Sequence, residues 1–180
     1  MNKKDLRVIK TKRNIKKAFS DLMQKKPLEK ITVTEIASLA EINKGTFYLH
    51  YADIYELYDE YLSEFIEQSA DSIDFYDDFF DAPEQFVRKF VSLQKDTMPL
   101  EMVSKAALDQ KKRNVPEMIS NALTKRIYSS GRIEHSVEND IKLDFILFAL
   151  AVLILKYDDK YTEEIVRIIA QNIRDNFPLP

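Results

Sequence analysis

Cysteine and tryptophan are absent from the 180 residues, and glycine occurs only twice, as Gly45 and Gly131. Without a thiol there are no disulfides, no thiolate metal ligands and no cysteine nucleophile. Two glycines cannot build a Gly-rich phosphate loop, and their scarcity argues for helices. Histidine is almost as scarce. His50 and His135 stand alone, two unpaired imidazoles make no convincing metal site, and no other nucleophile has an evident base near it. The longest uninterrupted apolar run, Phe145 through Leu155, is about half of what a bilayer-spanning helix needs. The opening Met-Asn-Lys-Lys-Asp-Leu-Arg has no apolar core of a signal peptide. These absences lead to the expectation of a cytoplasmic protein that is not an enzyme, carries no cofactor or metal, and has no membrane segment.

What is present is charge, unevenly distributed. Residues 1–50 hold twelve lysines and arginines against five acids, a local balance of +7 in a chain whose net charge is −3, which leaves −10 for the remainder. An acidic chain is a poor candidate for nucleic acid, but such asymmetry between segments points to a basic reading surface on one part of the molecule. Much of the basic charge lies on a first helix, where Ile15, Ala18, Phe19, Leu22 and Met23 form an apolar stripe. Lys12, Arg13, Lys16 and Lys17 are then left to solvent or phosphate.

Behind that helix, residues 32–51 read as two short helices joined by a tight turn. Thr32 and Glu35 have the spacing of a capping box, and Ile36, Ala37 and Ala40 supply an apolar face. Asn43 can cap a second helix that begins Lys44-Gly45-Thr46. Gly45 lets a backbone approach closely, Lys44 is a flexible cation, and Thr46, Tyr48 and His50 offer hydrogen-bonding groups suited to phosphate oxygens. Phe47 and Leu49 lack such groups and are expected to anchor this helix to the core.

The segment Ile31-Thr32-Val33-Thr34-Glu35-Ile36-Ala37, with Asn43-Lys44-Gly45-Thr46-Phe47-Tyr48 and His50-Tyr51, resembles the recognition signature of the TetR family of transcriptional regulators. The resemblance covers about the first third of the chain. It implies base reading by Lys44 and Gly45, a base or phosphate contact at Thr34, phosphate contacts at Thr46, Tyr48 and His50, and a part for Thr32 and Asn43 in the same DNA-binding surface. Two positions depart from the family pattern. Glu41 stands where the family usually has Gly in the turn, which requires a left-handed backbone or another turn shape. Ile54 stands where a Lys often makes one more phosphate contact.

Helix punctuation continues to the end of the chain. Ile54, Leu57, Tyr58, Tyr61, Leu62, Phe65 and Ile66 recur at helical spacing after an Asp53–Glu56 capping box, predicting a long linking helix over 53–69. Asp81–Glu84 and Asn114–Glu117 repeat the box, with Pro83 and Pro116 in the first turn. Helices are expected near 82–95, 98–112, 115–129, 137–157 and 162–176, with a break at Ser129-Ser130-Gly131. The expected fold is all-α, about nine helices. An amino-terminal three-helix helix-turn-helix DNA-binding domain (1–52) would be fused to a helical ligand-binding and dimerisation domain (53–180).

The helix around residues 145–155 is apolar all round and needs cover on every side. Together with the last helix it predicts a four-helix interface about a two-fold axis, with Phe145, Phe148, Leu150, Val152, Ile165, Ile169 and Ile173 at the contact. Phe65, Phe86, Phe90, Met102 and Met118 are candidate effector-pocket residues, since large or adaptable apolar side chains line pockets as well as cores. Residues 51–87 hold twelve acids and no Lys or Arg, with aromatics interleaved at Asp74-Phe75-Tyr76-Asp77-Asp78-Phe79-Phe80-Asp81. The plain reading is a solvated acidic helix end; a second reading is a pocket wall that selects a cation. Asp77, Asp78 and Asp81 also have the spacing by which helical prenyl-transferring enzymes hold magnesium, a single short match in an acid-rich chain.

The functional expectation is a regulator that binds a palindromic double-stranded DNA operator as a homodimer, a repressor released by an unidentified small-molecule effector. The alternative is a coactivator or protein-interaction module, whose carboxy-terminal domain takes a partner protein in place of a metabolite.

Overall fold

The computed structural model describes residues 3–97 and 115–178. Among them are nine α-helices and no strand: α1 (Lys3–Met23), α2 (Val33–Leu39), α3 (Lys44–Tyr48), α4 (Ile54–Asp71), α5 (Asp78–Asp81), α6 (Pro83–Thr97), α7 (Val115–Ser129), α8 (Val137–Lys156) and α9 (Thr162–Asn176). The fold is all-α, as expected, although the nine are not the same nine. The expected helix over 98–112 lies outside the described residues, as does Asn114. Helix α5 was not anticipated.

Local chemistry explains most of the boundaries. The Thr32–Glu35 capping box opens α2, and Ser136 caps α8 by accepting the amide of Asn139. Asp53 accepts the Glu56 amide at 2.8 Å, whereas the Glu56 carboxylate takes the amide of Ala52, one residue earlier than a standard box. The Asp81–Glu84 box does not form. Phe79 and Phe80 are drawn into the core, the chain turns through α5, and the Asp81 carboxylate pairs with Arg132 while Glu84 pairs with Arg174. Gly131, at φ 70, supplies the left-handed residue that the break after α7 requires.

The chain divides into two compact units, Met1–Glu64 and Phe65–Pro180. Helix α4 runs uninterrupted through that division, so the amino-terminal unit extends past residue 52. In this unit Ile15, Phe19, Leu22, Ile36, Phe47, Tyr51, Leu57 and Tyr58 form the core, with Phe19 edge-on to Tyr58 and Tyr61. Each such side chain contributes roughly 1.5–3 kcal/mol on burial. In the carboxy-terminal unit α7 packs on α8 and α6 on α9. Phe79, Phe86 and Phe177 join in an aromatic cluster beneath α5, with ring centroids 5.3 and 5.6 Å from Phe79. No helix among the described residues is long and apolar enough to cross a membrane.

Candidate nucleic-acid interface

The turn between α2 and α3 is where the geometry of the helix-turn-helix segment is set. Ala40 ends α2, Glu41 takes φ 55, the Ile42 amide reaches back to the Ala37 carbonyl at 3.0 Å, and the Glu41 amide reaches Ser38 at 3.3 Å. This is a Schellman termination with a glutamate in the left-handed position that glycine usually fills. Of the two shapes open to Glu41, the chain takes the left-handed one, at a cost of about 1 kcal/mol.

Asn43 then starts α3. Its Oδ1 accepts the amide of Thr46 at 2.7 Å and the Thr46 hydroxyl at 3.0 Å. A Cβ at Gly45 would lie 3.2 Å from that same Oδ1, so a side chain there would crowd the cap. Phe47 is wholly buried and fixes the inward face of α3, with Tyr51 beside it at 5.7 Å between ring centroids. Lys44, Gly45 and Tyr48 are exposed, and His50 is half-buried. Thr34 is exposed on α2.

Two hydroxyls assigned from sequence to the DNA surface are engaged within the protein. Thr32 donates to Glu35 Oε2 at 2.7 Å, and Thr46 donates to Asn43. They hold the ends of α2 and α3, and Asn43 itself is a helix cap. Leu49 corrects the sequence expectation outright: it is 82% exposed instead of anchored in the core.

The basic face of α1 is also partly committed. Lys12 reaches Glu60 at 2.7 Å and lies 5.1 Å from the Tyr51 ring centroid, while Lys16 bridges Glu60 and Glu64 at 2.5 Å each. Burial depresses the Lys16 ammonium, but hydrogen bonds to Glu60 and Glu64 outweigh it and leave the group above its ordinary range. Burial raises Glu60, yet Lys12 and Lys16 hold it below the usual carboxylate range. Burial and the Glu60 charge push the Tyr51 phenol up. Lys12 and Lys16 are therefore struts between α1 and α4, not the free cations expected from sequence. Lys26 likewise pairs with Glu35 at 2.5 Å and, with Thr32, holds that carboxyl low. Arg13, Lys17 and Lys44 are exposed and have no ion pair among the described residues.

In the carboxy-terminal unit, the acid-and-aromatic stretch already holds the chain's own cations. Asp78 pairs with Lys89, which lies over Phe75; Asp81 pairs with Arg132, which lies over Phe80 at 4.7 Å. The magnesium-type spacing is thus dispersed onto two cations, and no group of three acids or histidines among the described residues is placed to hold a metal. Of the proposed pocket residues, Phe86 and Phe90 are buried in the core with rings stacked at 6.3 Å, Phe65 and Met118 are half-buried, and Met102 lies outside the described residues. Two clefts have other linings. One of about 460 Å³ involves Val91, Ile154, Tyr157, Lys160 and Ile165. The other, of about 410 Å³, includes Asp71, Tyr76 and Arg126. Sequence reasoning missed Ser120 and Thr124, one turn apart on α7, whose buried hydroxyls have no hydrogen-bond partner.

The expected dimer contact also sorts into two sets. Leu150, Ile165, Ile169 and Ile173 are buried within the protomer's own core, which removes them from any outer contact surface. Phe145 and Phe148 are 66% and 39% exposed, and Val152 is half-buried. Val137 and Ile141, missed from sequence, extend the same exposed line at spacings of three and four along α8, and Ile168 is exposed on α9.

Residues 17–61, from α1 into α4, fit the family model of bacterial regulatory proteins, tetR family. No curated protein and no solved structure matches the chain.

Proposed function

Starting from a DNA-binding transcriptional regulator of the tetR family, we propose that this chain is a repressor that binds a palindromic operator as a homodimer and is released by a small molecule. The observation that carries the reading is α3 itself, seated on Phe47 and presenting Lys44, Gly45 and Tyr48 outward behind a capped, sharply turned α2. A recognition helix needs that arrangement to enter the major groove with its first residues at base edges. Lys44 and Gly45 read bases, Thr34 meets a base or phosphate from α2, and Tyr48 and His50 bind phosphates. Thr32, Asn43 and Thr46 set the ends of the two helices.

The exposed line Val137, Ile141, Phe145 and Phe148 supports pairing of two copies through α8. Two-fold pairing would place two reading helices on successive major grooves of a palindrome. An effector domain in the carboxy-terminal unit, Phe65–Pro180, is supported by the orphaned hydroxyls of Ser120 and Thr124, since buried polar groups are seldom left unbonded without a reason. A ligand need only bind better to a dimer whose reading heads are misplaced. Its differential affinity for the two states sets how far the population shifts. Helix α4, shared by both units, is the element through which such a shift would pass.

The test is selection of bound duplexes from a random DNA pool with the purified chain at moderate salt. Enrichment of one palindrome supports the reading. A folded dimer that enriches nothing refutes it and favours the protein-interaction alternative.

A further inference from the structure

Leu49 is the most exposed large apolar side chain among the described residues, at 82%. Its direction follows from the helix. At about 100° per residue, a residue two positions from both Phe47 and Tyr51 points away from each, and those two are the buried anchors of this segment. The backbone holds that geometry through the end of α3, because the Leu49 amide bonds the Gly45 carbonyl at 3.1 Å and the Tyr51 amide bonds the Phe47 carbonyl at 3.0 Å. Gly45 and Leu49 are therefore one turn apart on the outermost line of the helix. Tyr48 stands beside them, 56% exposed.

We propose that Leu49 is a specificity-determining residue that reads a thymine through its 5-methyl group in the major groove. The proposal rests on the assignment of α3 as the reading helix. A leucine can neither donate nor accept a hydrogen bond, so phosphate and polar base edges offer it nothing. The thymine methyl is the one apolar feature that base pairs present in that groove. Gly45, with no side chain, lets the outer line of α3 come close to the bases, and Leu49 follows about 6 Å further along the axis. The thymine thus falls roughly two base pairs from the one that faces Gly45, at a base-pair spacing of about 3.4 Å.

The experiment uses duplexes enriched by the wild-type chain from a random pool, with each thymine replaced singly by deoxyuridine, which lacks only the methyl. One thymine per half-site should weaken wild-type binding about fourfold when replaced, the equivalent of ~0.8 kcal/mol for one buried carbon. Leu49→Ala should bind the thymine and uracil duplexes equally well, and should melt at the wild-type temperature because the side chain supports no core. If no thymine matters to the wild type, or the same thymine matters equally to Leu49→Ala, the proposal is overturned while α3 remains the reading helix. If the wild type enriches no sequence at all, the assignment of α3 falls and this proposal with it.

Discussion

Replacing Phe145 with Asp separates the two faces of α8. The Phe145 side chain is 66% exposed in the protomer, and a phenylalanine offers about 200 Å² to bury, so covering it in a dimer would remove about 130 Å² from water. At ~25 cal/mol per Å² that is ~3 kcal/mol per subunit and ~6 kcal/mol per dimer, or a loss of about four orders of magnitude in dimer affinity. Asp adds to this by placing like charges near the two-fold axis. Sedimentation at micromolar concentration should show wild-type dimers and Phe145→Asp monomers with helical content and melting temperature preserved. Leu150→Asp should behave differently. Leu150 is fully buried in its own protomer, so an aspartate there puts an unpaired charge in the core and unfolds the chain, not merely the dimer. If Phe145→Asp remains dimeric with unchanged affinity, α8 is not the contact and the exposed line needs another occupant.

Glu41→Gly relieves a left-handed glutamate and removes an acid next to α3. It should leave stability unchanged or raise it by up to ~1 kcal/mol, strain relief being partly offset by glycine entropy, and tighten operator binding; a lowered melting temperature would contradict the strain argument. Lys44→Ala and Tyr48→Ala should each abolish specific binding with little change in melting temperature, since both side chains are exposed; retained specificity would show that α3 does not read DNA. For Glu60, the folded carboxyl lies below its ordinary range and reverts on unfolding. Its contribution is present above the ordinary carboxylate pKa of about 4.3 and is lost as pH falls through the depressed value. Urea midpoints measured downward from pH 7 should therefore fall less steeply for Glu60→Gln than for wild type, and parallel slopes would refute the strut.

Local features of the fold were legible because their determinants lie three or four residues apart. The Thr32–Glu35 box, the Asn43 cap and the Ser129-Ser130-Gly131 break all follow from neighbours in sequence, whereas the left-handed Glu41 was one of two shapes the sequence left open. Long-range partners were not legible. The Asp81–Glu84 spacing is as good a capping box as Thr32–Glu35, but Arg132 and Arg174 compete for those two carboxylates and win. Lys12 and Lys16 read as solvent cations because Glu60 and Glu64, far along the chain, give no local signal. Phase was the other gap. An α8 that is apolar all round does not reveal which side meets its own core, so Leu150 and Phe145 looked alike. A helix as short as α3 shows too little of a period to tell the inward Phe47 from the outward Leu49.

The electrostatic footprint on DNA must be smaller than the raw charge of the first fifty residues suggests. Counted through Glu64, the amino-terminal unit holds twelve basic and ten acidic residues, a balance of only +2. Attraction to a phosphate backbone therefore depends on separation of charge, not on its sum. Glu60 and Glu64 are turned onto Lys12 and Lys16, which sets two acids against two bases and fastens α1 to α4. Arg7, Lys10, Arg13 and Lys17 on α1, Lys25 and Lys30 between α1 and α2, and Lys44 on α3 are left exposed and without an ion pair among the described residues. Arg13, Lys17 and Lys44, the three of these nearest the proposed interface, make six per dimer, and neutralising six phosphates implies a log–log salt slope near −5. Operator affinity should then drop by about three orders of magnitude between 50 and 200 mM salt. A loss of only tenfold would mean that about two phosphates are neutralised, so that most of these cations face away from the DNA; a flat response would remove the electrostatic argument altogether.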